Sequence, residues 1–167
     1  TEQSASGMKL TLRSEMRIQE HHDLASEART DESIPLRFFS LDGSPCDCVI
    51  VALDGGLQVW APEISPSLCI SGINQGPNLS VDVLHSGTVS AARESALYGM
   101  PSMAVSLATY SHEDFSQTLE ATIRLVDAIS PHLPKVPPNL RRPEGSRMAP
   151  EDGSSAEAIR SSFLLGN

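Results

Sequence analysis

Residues 71–101 read SGINQGPNLSVDVLHSGTVSAARESALYGMP, and this stretch decides the fold. It follows a short apolar run, Leu68, Cys69 and Ile70, that does not alternate. Such a run suits a central parallel strand buried on both faces. At its other end, Val89, Ala92, Ala96 and Gly99 are spaced for one face of a helix. Small residues on that face would let the helix lie close to a sheet. Gly99 and Pro101 are stop signals.

The connection between strand and helix is rich in small polar residues. In an open α/β sheet, ligands bind beyond the carboxyl ends of the strands. Asn74 stands there and offers an amide oxygen, a suitable ligand for a hard divalent cation. Asn78 follows across Gly76-Pro77, where glycine lets backbone approach a ligand. Ser86, Gly87 and Thr88 open the next helix, whose first N–H groups have no internal acceptor and form an anion site. A cation ligand facing an anion nest is the arrangement that phosphate-ester hydrolysis uses. The same residues also fit plain turn and N-cap roles, and spacing alone does not choose between the two. A phosphate loop of the G-x-x-x-x-G-K-[ST] type is absent, because the stretch has no lysine. A serine-hydrolase elbow around Ser86 is excluded by Leu84, where a glycine is needed.

Outward from this stretch, alternation predicts strands at Met8–Leu12 and Leu36–Leu41, with a charged loop holding at most a helical turn over 18–34. His21 and His22 are adjacent, so their side chains diverge and do not suggest a metal site. Ser44-Pro45 predicts an N-cap and a helix from Pro45 to about Leu53, stopped by Asp54-Gly55-Gly56. Pro101–Ala108 is the next strand candidate. Ser111 is the expected N-cap of a helix whose Phe115, Leu119, Ile123, Val126 and Ile129 form a core-packing stripe. Strands alternating with helices predict an α/β sandwich with a mainly parallel sheet over residues 1–130. Six of the twelve prolines fall between Pro131 and Pro150, so residues 131–167 are expected to form a disordered tail.

Composition narrows the class. The 167 residues suffice for one domain with a core. A net charge of −9 argues against nucleic-acid partners. No apolar run is long enough to span a membrane. Three cysteines give no disulfide framework, which fits thiols in a cytoplasmic protein. The chain opens on Thr1 without Met or a signal pattern, as expected of a processed or partial product.

Three blocks, in order, resemble the SurE-like (survival protein E) nucleotide phosphatases. They are SASG at residues 4–7 followed by LTL, LDGSPCDCVIVAL at 41–53, and the long block at 71–108. The resemblance runs over residues 1–129 and is poorest over 18–34. It implies a Rossmann-like three-layer sandwich and a metal-dependent 5'/3'-nucleotidase or acid phosphatase acting on nucleoside monophosphates, working with Mg2+ or Mn2+ as a homo-oligomer. Carried over by position, Ser4 and Asn74 become metal ligands, and Asn78, Ser86, Gly87 and Thr88 line the phosphate site. Asp82 becomes a structural support. The family's Asn-Asp-Asp-Gly loop, whose aspartates hold the metal, has no counterpart in this sequence, nor has its C-terminal arm after Pro131. The expectation is an incomplete domain with weak or no activity of its own. The alternative is a non-catalytic phosphate-ligand or partner-binding module on the same fold.

Overall fold

The expected strand at Leu68–Ile70 is β3, Cys69–Asn74; it pairs in parallel with β4, Ser102–Ser106. The computed structural model describes residues 15–110 and 114–134. Cys69 lies opposite Ser102, Ile70 opposite Met103 and Ser71 opposite Ala104. The register then shifts: Asn74 lies opposite Ser106, three steps along β3 against two along β4. The extra residue is taken up at Gly72, where φ is +123 and a Cβ would fall 2.3 Å from the Val105 carbonyl oxygen. Only glycine fits there. Ile70 is 45% exposed, so its face of β3 is not fully covered among the described residues, against the expected burial on both faces.

The helix between them, α5 (Gly87–Leu97), packs on both strands. Its buried residues are Ser90, Ala91, Ala92 and Ser95, whereas Ala96 of the expected face is exposed. Small residues surround this helix, so hydrophobic spacing carried little information about which side is inward. The expected stop is present: Gly99 has φ +81, and the N–H of Met100 returns to the Ser95 carbonyl at 3.2 Å. On its other side α5 meets α2, Pro45–Val51. There, as expected, Ser44 caps and Pro45 opens the helix. Ser44 and Asp47 form a reciprocal capping box, Asp47 N–H to Ser44 Oγ at 3.2 Å and Ser44 N–H to Asp47 Oδ2 at 2.8 Å. A kink at Asp54 and Gly55 separates α2 from α3, Leu57–Trp60. Leu53, Tyr98 and Met100 form the buried core, with Val49, Ile50, Leu57 and Cys69 around it.

Residues 18–34 are not simply a loop. They form β1 (Ile18–Glu20) and α1 (His22–Ala28), and β1 pairs antiparallel with β2, Phe39–Leu41, the last three residues of the expected strand at Leu36–Leu41. Hydrophobic periodicity missed them because polar contacts hold them. Arg37 binds Glu20 and reaches Glu63 Oε1 at 2.7 Å, and His21 Nε2 meets Ser40 Oγ at 2.8 Å.

The helix α6 spans Ser116–Ile129, later than the expected cap at Ser111, and runs on into a 3-10 turn at Ser130–His132. Phe115 stands at the N-cap without a side-chain cap, and Asp114 accepts from the Ser116 N–H at 2.9 Å in the turn that leads in. The stripe on α6 is not core. Leu119 and Ile123 are about half exposed (51% and 52%), since among the described residues only β4 covers this helix appreciably. The strand expected at Met8–Leu12, the cap candidate Ser111 and most of the proline-rich segment lie outside the described residues. The fold is α/β. β3, α5 and β4 form a parallel strand–helix–strand unit of a Rossmann-like sheet that is present in part. No helix among the described residues is long and apolar enough to cross a membrane.

Gly72→Ala should lower stability by more than about 1 kcal/mol, seen as an earlier thermal transition, because its Cβ collides with β4. The pH dependence has its own marker. Arg37 holds the Glu20 carboxyl below the ordinary glutamate range. Stability from that pair is present above the ordinary glutamate value of about 4.3 and is lost as pH falls through the depressed one. Glu20→Gln should melt earlier than the parent at neutral pH, and the gap should close on acidification.

Candidate functional site

Ser86 ends α4 (Asp82–His85) and starts α5 with an extended backbone, φ −78 and ψ 124. Its Oγ accepts from the Val89 N–H at 3.1 Å, and its carbonyl accepts from the Ser90 N–H at 3.0 Å. The N–H groups of Gly87 and Thr88 are thereby left without an intrahelical acceptor. Gly87 also serves packing, since a Cβ there would meet Pro45 Cγ at 3.0 Å. The N-terminus of α5 thus rests against the first turn of α2. Ser86, Gly87 and Thr88 line a cavity of about 1080 Å3.

Asn74, at the end of β3, enters the same cavity. Its Nδ2 donates to the Gly76 carbonyl at 2.9 Å and the Gln75 carbonyl at 3.2 Å, which anchors the amide by its nitrogen. Oδ1 receives a long bond, 3.4 Å, from Thr88 Oγ1. The Asn74 side-chain oxygen therefore sits beside the helix N-terminus. Asn78 Nδ2 donates to Ser106 Oγ at 2.7 Å, tying the loop to the carboxyl end of β4 with one of its two N–H groups.

Five of the six expected site residues, Asn74, Asn78, Ser86, Gly87 and Thr88, line this one cavity. Ser4 lies outside the described residues. Asp82, expected as a structural support, lines the cavity as well, as do Asp42, His85 and Tyr110. Asp42 lies in the turn ahead of α2, inside the block at 41–53 that carries the resemblance, but nothing in its spacing marked it as a site residue. No sequence signal pointed to Tyr110.

The lining described carries two carboxylates, one imidazole and no lysine or arginine. An anion entering it depends on N–H groups and hydroxyls, not on a fixed positive side chain. A hard divalent cation takes six or more oxygens, carboxylates among them. Among the described residues no group of three or more His, Cys, Asp or Glu side chains is placed to hold a metal ion. Asn74 Oδ1 alone is a neutral ligand. These residues by themselves therefore do not fit a resident Mg2+ or Mn2+.

Residues 1–149 match the family described as Survival protein SurE. The chain belongs to the SurE family. It is 44% identical over 145 residues to the 5'-nucleotidase SurE of Pelotomaculum thermopropionicum, a match covering 86% of this chain and 51% of that one. A Synechococcus 5'-nucleotidase SurE is 43% identical over 129 residues, covering 77% and 45%. Among solved structures, the SurE protein from Aquifex aeolicus superimposes with a TM-score of 0.58 at 30% identity, covering 76% of this chain and 45% of its own. The chain spans about half the length of the curated SurE relatives it matches.

Ser86→Ala removes the cap on α5 and should cost about 1 kcal/mol in urea denaturation. Thr88→Val should cost less than about 0.5 kcal/mol, because its hydroxyl makes only the long bond to Asn74.

Proposed function

We propose that the cavity holds the phosphate of a nucleoside monophosphate, and that the chain supplies the phosphate-holding part of a metal-dependent 5'/3'-nucleotidase. The observation that carries this reading is the meeting of Asn74 Oδ1 with the N-terminus of α5 through Thr88. The N–H groups of Gly87 and Thr88, with the hydroxyls of Ser86 and Thr88, receive phosphoryl oxygens. They oppose the negative charge that builds as the ester bond breaks. Asn78, held by Ser106 and lining the same cavity, has a second N–H to give. The relatives named 5'-nucleotidase SurE support the substrate class.

A bound Mg2+ or Mn2+ would supply charge neutralisation and an activated water. Asn74 Oδ1 and, as the resemblance implies, the Ser4 hydroxyl would be ligands; both are neutral and on their own would hold the ion weakly. A second reading, a phosphate-binding module without catalysis, is favoured by the lack of a three-ligand acidic or histidine cluster among the described residues.

Calorimetric titration with inorganic phosphate, with and without Mn2+, should show binding that the ion strengthens. Asn74→Ala should remove that gain and lower any Mn2+-dependent hydrolysis of AMP by on the order of tenfold. Brisk hydrolysis that Asn74→Ala leaves unchanged refutes the assigned site. Ion-independent binding without turnover selects the second reading.

A further inference from the structure

Tyr110 follows the end of β4 and is 70% exposed, yet it is held in place. Its hydroxyl donates to the Pro77 carbonyl at 3.3 Å. Its ring lies against Gly76, where a Cβ would fall 1.9 Å from Tyr110 Cε1 and 2.4 Å from Cδ1. Gly76 has φ +98, so the position suits glycine on two counts. The ring lines the cavity that also contains the N-terminus of α5. A phosphate alone does not occupy about 1080 Å3, a volume slightly above the roughly 300–1,000 Å3 of sites for whole small molecules. A pre-positioned, solvent-facing ring on the wall of such a cavity is a platform for a flat aromatic group.

We propose that Tyr110 is the base-stacking residue of this site: its ring takes the nucleobase while the N-terminus of α5 takes the phosphate. This rests on the phosphate assignment above and adds to it the origin of preference for nucleotides over other phosphate esters. Stacking tolerates different bases and favours the larger π surface, so purine nucleotides bind more tightly than pyrimidine ones.

The full chain is titrated with inorganic phosphate, ribose 5-phosphate, AMP and the fluorescent 1,N6-etheno-AMP. The parent should bind AMP more tightly than ribose 5-phosphate and quench etheno-AMP. Tyr110→Ala should weaken AMP by about tenfold and abolish the quench, with ribose 5-phosphate unchanged. Tyr110→Phe should restore both AMP binding and the quench. Unchanged ribose 5-phosphate binding also shows that the alanine variant is folded. Equal losses for AMP and ribose 5-phosphate overturn the proposal, because Tyr110 then acts only by holding the loop at Gly76. So does a parent that binds the two alike. A parent that binds no phosphate compound at all overturns the phosphate assignment and the stacking role together.

Discussion

One extra residue in β3 determines where the chemistry of this chain can sit. Between Ser71 and Asn74 the strand advances three residues while β4 advances two, and Gly72 absorbs the mismatch against the Val105 carbonyl. A bulge re-aims the side chains that follow it. Asn74 comes after it, with its carbonyl still paired to the Leu107 N–H at 2.8 Å and its side chain in the cavity. The N-terminus of α5 has to arrive beside that amide. It does so because Gly87 lets the helix seat against Pro45, and because the inward side of α5 is built of serine and alanine.

Electrostatics sets what this geometry can bind. Asp42 and Asp82 make the described lining net acidic when His85 is neutral, and no arginine or lysine offsets them. The partial positive charge of a helix N-terminus is about half a unit. In the proposed reading that half charge meets one phosphoryl group.

Much of this was legible in the sequence, and the physical reason differs by element. The Ser44-Pro45 cap, the Gly99 stop and the Ser86 cap are local chemistry, so a few adjacent residues encode each. Asn74, Asn78 and the Ser86–Thr88 turn are singled out in the sequence because strand ends and helix starts are where α/β ligands go, and the fold places them on one cavity. β1 and α1 were missed because ion pairs and hydrogen bonds from Arg37 and Ser40, distant in sequence, hold them. The core stripe on α6 misled for the opposite reason. Its apolar period is real, but a period records a side and not what covers it. Tyr110 was invisible because nothing local distinguishes an exposed aromatic that props a loop from one that does not.

The parallel pairing explains why such a site can exist on so few elements. In a parallel pair both carboxyl ends lie at one edge, so the residues that follow β4 can hold the loop that follows β3. They do so at several points. The Leu107 N–H meets the Asn74 carbonyl and Tyr110 reaches the Pro77 carbonyl, while Ser106, the last residue of β4 itself, accepts from Asn78. Asn74 adds an internal tie to Gly76. An antiparallel pair would put these supports at opposite ends of the sheet. The loop is therefore ordered by contacts that need no ligand, and binding meets less conformational cost than a free connection would impose. The polar glycine-rich composition of residues 71–88 is then the composition of a braced loop, in which Asn74 and Asn78 bond to their surroundings and Gly72 and Gly76 make room for neighbours.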